Sequence, residues 1–306
     1  MCVGCLALPG LVLDPGSNDI FPGDEPEPGL RLEPVGGTVT WTGCAGFLIE
    51  FDGVRICFDP FVSNPGIADV FLRAAKPNAE LVRSLIGPAD AVFVGHSHWD
   101  HAMDVAEVAK LGAVVHGSET TVELCRRQGI PESRLAAVTD GFTTTVGPFT
   151  ISAIGSRHGI VPIFRHLDAP GLPKQGLPRA PIRWPMGEVF AYRVEVAGER
   201  GARSIHLHTS AGIEDAPLAR QQPVDVLIAC LAARQGTPDY FARLAEVLQP
   251  RVLVPCHHDN FLRPVQSAPK PVPRLDWPGF LGDVARMRER HGTDLVQLPR
   301  GVPVGF

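Results

Sequence analysis

The stretch Ala91-Val92-Phe93-Val94-Gly95-His96-Ser97-His98-Trp99-Asp100-His101 decides how the rest of this chain is read. Four apolar residues closed by a glycine predict a buried strand that ends in a tight turn. Such a turn aims the side chains at 96, 98, 100 and 101 into one small volume. Imidazole nitrogen and carboxylate oxygen are the donors that borderline divalent ions such as zinc prefer, so the turn reads as a metal site. A solvated, merely His-rich turn is the plainer alternative. Four donors directly behind a buried strand speak against it.

Working outward, three more segments place polar residues just past strand-like runs. Asp59 follows Val54-Arg55-Ile56-Cys57, His158 follows Thr150-Ile151-Ser152-Ala153-Ile154, and His257 and His258 follow Val252-Leu253-Val254. The order of these elements, together with His-x-His-x-Asp-His, resembles the metallo-β-lactamase superfamily over residues 38 to 298. Val254-Pro255-Cys256-His257 is similar to the segment of its ascorbate-phosphate lactonase-like and phosphodiesterase-like branch. The resemblance implies a single α/β domain, a four-layer αβ/βα sandwich. It also implies a first metal site of His96, His98 and His158, and a second of Asp100, His101 and His257. The cofactor implied is Zn2+, one ion or two, with Mn2+ or Fe2+ as alternatives.

One position departs from the pattern. Where most dinuclear members carry a bridging acid after a strand, Ser204-Ile205-His206-Leu207-His208 runs into Thr209-Ser210, and a neutral hydroxyl bridges cations poorly. Either a second ion is held with less charge compensation or the site is mononuclear. Ser210, His208 and His258 are the further candidates for the site. His206 and His208 share a strand face, and a structural role is favoured for both.

Composition narrows the function class. A formal charge of −5 argues against nucleic acid or an anionic membrane as partner, and no apolar run of the ~18 residues needed to span a bilayer occurs. A small-molecule substrate remains, and a homo-oligomer is compatible. Seven scattered cysteines, Cys44, Cys57, Cys125 and Cys230 among them in apolar surroundings, read as small core residues in a reducing, cytoplasmic setting. Cys256 is expected to point away from His257 into the core.

Residues 1–37 read as an irregular leader, dense in Pro, Gly and acids over Asp14 to Pro34, with the hydrolase-like domain at 38–306. Helices are expected over Asp104 to Leu111, over Glu119 to Gln128 behind Ser118 as N-cap, and over Pro238 to Leu248. Residues 159–187 lack periodicity and read as a lid or binding loop. Arg157 to Gly187 carries five basic residues against one acid, Asp168. Arg165, Arg179 and Arg183 are therefore candidate contacts for an anionic substrate.

The chemistry implied is hydrolysis. Three neutral imidazoles leave a cation its full charge and a free position for water, while Asp100 or Asp59 takes the proton or orients the nucleophile. Asp59 is also a candidate acceptor for the second nitrogen of a ligating imidazole. The substrate is expected to be a small, anionic ester, lactone or phosphodiester. The rival from another class is a metal-binding or scaffold protein without catalysis, for which Ser210 is the argument.

Overall fold

The computed structural model describes residues 30, 32–72, 75–160 and 172–306. Two seven-stranded sheets face each other. The first contains β1 (Thr38–Gly43), β2 (Gly46–Phe51), β3 (Val54–Phe58), β4 (Ala91–Phe93), β5 (Val114–Gly117) and β6 (Leu135–Ala137). The second contains β7 (Thr143–Val146), β8 (Phe149–Ser156), β9 (Val189–Gly198), β10 (Gly201–His208), β11 (Val226–Cys230), β12 (Val252–Cys256) and β13 (Asp294–Leu295). The last strand, β14 (Val304–Gly305), returns to pair with β1. Each sheet begins as an antiparallel meander and continues as a parallel ladder, from β3 to β6 in the first and from β10 to β13 in the second.

The helices are α1 (Ile67–Leu72), α2 (Ala79–Leu81, continued by a π-turn over Val82–Ile86), α3 (Trp99–Ala102), α4 (Val105–Lys110), α5 (Glu119–Arg127), α6 (Asp215–Ala219), α7 (Tyr240–Leu248) and α8 (Trp277–His291). With them the architecture is the expected αβ/βα sandwich. Among the described residues, no helix is long and apolar enough to cross a membrane.

Strand alternation explains why the short apolar runs are buried on both sides. In β3 and β4, Ile56, Phe58, Ala91 and Phe93 enter the core between the sheets, whereas Cys57 and Val92 enter the core under the helices of the first sheet. Phe58, Phe93 and Tyr192 form an aromatic cluster with ring centroids 5.3 to 5.7 Å apart. Full burial of each such side chain stabilises by about 1.5–3 kcal/mol. The Tyr192 hydroxyl, from the second sheet, donates to the Val94 carbonyl at 2.9 Å, tying the two sheets together where the histidine turn begins.

Local signals in the chain account for two of these features. Asp52 and Gly53 both adopt positive φ, as a tight hairpin turn demands, and the Ser118 side chain accepts from Thr121 N as the cap of α5. Other features depart from expectation. The helix expected from Asp104 is preceded by α3, so Asp100 and His101 ride on a first helical turn whose N-cap is His98. The helix α7 begins at Tyr240, behind an Asp239 with φ of 53°, and Pro238 lies outside it. Leu30 and Val35, in the stretch read as a leader, are buried, with Val35 N donating to Phe306 O, because β14 offers them an apolar seat.

The lid expectation falls partly outside the described residues, which omit 161–171. The remainder, 172–187, is packed down: Leu172, Leu177, Ile182 and the buried Trp184 join the core of the first sheet. The Arg127 guanidinium donates to the carbonyls of Pro173 and Gly176. Prolines removed the periodicity, yet four large apolar side chains sufficed to seat the segment.

Candidate metal centre

The histidine turn is fixed from four directions. Gly95 N donates to Asp59 Oδ1 at 2.6 Å, Gly95 O accepts from Phe190 N at 2.7 Å, Ser97 N donates to Met186 O at 2.7 Å, and Ser97 Oγ bonds Thr121 Oγ1 at 2.8 Å. A Cβ at Gly95 would meet Thr209 Oγ1 at 2.5 Å and Asp59 Oδ2 at 2.9 Å. Glycine is what allows three segments to meet there.

Within this frame His96, His98 and His158 converge. His96 Nε2 lies 3.1 Å from His98 Nδ1, which lies 3.2 Å from His158 Nε2. Ligands at the 2.0–2.1 Å typical of zinc-bound imidazole stand about 3.3 Å apart in a tetrahedron, so the donor set fits such a cation. His158 Nδ1 donates to the Gly159 carbonyl at 2.7 Å, which leaves the Nε2 lone pair facing the cluster. Burial and the surrounding imidazoles hold His96 well below the ordinary histidine range; burial and His158 bring His98 down to about 3. Both rings are neutral at neutral pH, as ligation requires.

A second cluster lies beside the first. Asp100 Oδ2 is 3.3 Å from His257 Nε2, and Cys44 Sγ is 3.6 Å from both ring nitrogens of His257. Burial would raise the Asp100 pKa, but the hydrogen bond with His257 and the charges of His101 and His257 outweigh it and hold the group below the usual carboxylate range. Burial pushes the Cys44 thiol up, with Asp100 and Asp259 adding to the effect.

His101 stands between the clusters, its ring centroid 3.9 Å from that of His96 and 5.2 Å from that of His257. Its Nδ1 is 2.9 Å from Asp59 Oδ2, so Nε2 is the nitrogen left for a cation. Burial lowers the His101 pKa, but the Asp59 charge and hydrogen bond more than reverse this. The structure thus brings Asp59 to the position of an orienting acceptor.

The other candidates lie differently. His208 Nε2 donates to the Gly212 carbonyl at 2.7 Å and its ring stacks on His206, the structural use the shared face suggested. His258 stacks on Trp41 at 4.7 Å between ring centroids. Ser210 is buried just past β10. Cys256 is buried among the apolar residues of the core. Arg165 lies outside the described residues; Arg179 and Arg183 are exposed on the 172–187 segment. An open cleft beside His158 is lined by Asp140, Arg157, Ile160, Met186 and Glu188. Arg157 pairs with Glu214, so the described wall of this cleft carries acids as well as a base.

Cys44 lies against the His257 ring, a contact the sequence does not announce. It was read as a small hydrophobe, and its near-complete burial agrees with that. Nothing in Gly43-Cys44-Ala45-Gly46 announces a partner 213 residues away.

Comparison with known proteins agrees with this geometry. A family model described as a β-lactamase superfamily domain matches residues 38–257. A metal-dependent hydrolase of family UPF0173 from Methanopyrus kandleri is 26% identical over 236 residues, 76% of this chain and 88% of that protein. Igni18, a metallo hydrolase of Ignicoccus hospitalis, superposes with a TM-score of 0.55 at 15% identity, covering 88% of this chain and 98% of its own. CmlA, a diiron β-hydroxylase of Streptomyces venezuelae, superposes with a TM-score of 0.59 at 13% identity over 90% of this chain and 55% of that one. At such identities the two structures speak for the fold.

Proposed function

We propose that this chain, which belongs to the metallo-β-lactamase superfamily, is a metal-dependent hydrolase working at the cluster of His96, His98 and His158. The observation that carries this is the convergence of three imidazole nitrogens at separations of 3.1 and 3.2 Å in the family's own domain. A bound divalent cation supplies Lewis acidity there, bringing the pKa of water from ~15.7 towards ~7 and polarising the scissile carbonyl or phosphoryl oxygen.

The chain's own residues do the rest. The role proposed for Asp100, 14% exposed beside His257, is to take the proton or orient the water as it attacks. Asp59 fixes the His101 tautomer through Nδ1, and the Gly159 carbonyl does the same for His158. His257 holds the Asp100 carboxylate in place at 3.3 Å. A second ion belongs with Asp100, His101 and His257 in this proposal.

The finer proposal is a small, anionic ester, lactone or phosphodiester as substrate. It rests on the basic run that includes Arg165, Arg179 and Arg183. We place the catalytic domain at 38–306 and the protein in the cytoplasm, the latter on the free thiols of Cys44, Cys57, Cys125, Cys230 and Cys256. Protein purified without added metal, analysed for its elements and offered chromogenic esters, lactones and phosphodiesters, tests the whole. Turnover is expected to vanish on chelation and to return with zinc, and Arg179→Ala is expected to raise KM for anionic substrates alone. Full metal content with no turnover across the panel would favour the scaffold reading that Ser210 suggests, and equal KM effects on neutral substrates would remove the anionic preference.

A further inference from the structure

We infer that Thr237 is a positioning residue of the first metal cluster: its hydroxyl ties together the two turns that grip the backbone at His158. The inference rests on the metal-site reading above and deepens it, because it concerns how the third imidazole is held at ligand distance.

His158 needs such a hold. His96 and His98 belong to a turn whose backbone is fixed by Asp59 and Met186, whereas β8 ends at Ser156 and its ladder with β9 ends at the Ser156–Val189 pair. His158 Nε2 nevertheless stands 3.2 Å from His98 Nδ1. A metal–ligand distance tolerates about 0.2 Å, so beyond the ladder the position of this backbone has to come from packing.

That packing arrives from two sides. The first is Ser210-Ala211-Gly212, the turn after β10. A Cβ at Gly212 would collide with the Arg157 carbonyl and stand 2.6 Å from the His158 carbonyl oxygen, so the turn lies backbone against backbone on the peptide that carries the imidazole. The second is the 3-10 turn Arg234–Gly236 after β11, where a Cβ at Gly236 would stand 2.6 Å from the Ile160 carbonyl oxygen. Between them, a Cβ at Gly159 would lie 3.2 Å from the Ala211 Cβ and 3.3 Å from the Ala233 Cβ. Close approach, not a positive φ, is what glycine supplies at these three positions.

The second turn is anchored away from the site. The buried Arg234 guanidinium donates to Asp283 at 2.7 Å and to both the side chain and the carbonyl of Asp276 at 2.9 Å, which fastens the turn to the start of α8. Thr237 follows at once, its N donating to the Arg234 carbonyl at 3.0 Å. Its Oγ1 donates to the Ala211 carbonyl at 2.6 Å. This bond joins the anchored turn to the one lying on His158, and the next carbonyl, that of Gly212, receives Ser156 Oγ at 3.2 Å from the end of β8. The grip on His158 is thus closed on both sides, with Thr237 as the link between them.

Zinc binding to the full chain, measured by chelator competition, tests this, with the step that disappears in His98→Ala marking the first cluster. Thr237→Val keeps the shape and removes the donor. It is expected to weaken that step by roughly 3–10-fold, the equivalent of one neutral hydrogen bond. Thr237→Ser returns the donor and is expected to bind zinc as the unsubstituted protein does. Gly236→Ala drives the anchored turn off Ile160 and is expected to weaken the same step. A threonine of structural use alone would lower the urea midpoint of metal-free Thr237→Val and leave the binding step unmoved. That outcome would overturn the inference, as would equal weakening in Thr237→Val and Thr237→Ser. Binding changes as expected but no turnover in the unsubstituted protein would remove the hydrolase proposal and leave this inference standing. Protein that binds no zinc at all would overturn both.

Discussion

The two donor clusters lie side by side yet are built in opposite ways. His96 and His98 come from one turn, and His158 reaches them from the end of β8; all three offer imidazole nitrogens. Cys44, Asp100 and His257 come from a hairpin turn, a helix start and a strand end, separated by 56 and 213 residues, and mix sulfur, oxygen and nitrogen. In the function proposed above, the first cluster would leave a bound cation its charge for chemistry, and the second would set the Asp100 carboxylate beside it.

The strongest way to break this contrast is His98→Ala. It removes the central donor of the first cluster, so kcat/KM is expected to fall by more than the roughly 10–100-fold typical of orienting residues. Elemental analysis is expected to show one ion lost and one retained. Loss of both ions would mean that the clusters form a single site.

A smaller effect is expected at the residue between them. Asp59→Asn weakens the acceptor that orients His101 Nδ1–H, and cation affinity, measured by chelator competition, should drop by roughly 10–100-fold. Unchanged affinity would detach His101 from both clusters.

The smallest effect concerns histidines used for structure alone. Burial lowers the His208 pKa to about 4 from an ordinary 6.5, so folding favours the neutral ring. The stability this gives is complete above pH 6.5 and is lost as pH falls towards 4, about 2 kcal/mol of it by pH 5. His208→Gln keeps a donor for Gly212 O and cannot titrate. Its urea midpoint should therefore change less between pH 7 and pH 5 than that of the unsubstituted protein. An equal change would assign the acid sensitivity to His96 and His98 instead.

Legibility in the sequence followed the distance over which information had to travel. The histidine turn was readable because its donors lie within six residues, and the sandwich was readable from apolar runs alternating with capped helices such as Ser118 and α5. The packing of 172–187 was not legible, because prolines erase periodicity without preventing Leu172, Leu177, Ile182 and Trp184 from packing. The basic residues of that stretch carry no such constraint, and Arg179 and Arg183 ended exposed.

By itself, then, the sequence determined the fold class and the histidine turn that brings His96 and His98 together, since strand period, turn chemistry and local spacing are properties of neighbouring residues. Tertiary structure alone decided that Cys44 meets His257, that Asp59 orients His101 and that His208 turns to Gly212. Those pairings depend on how two sheets are brought face to face, and burial between them is cooperative over the whole chain rather than written at any one position.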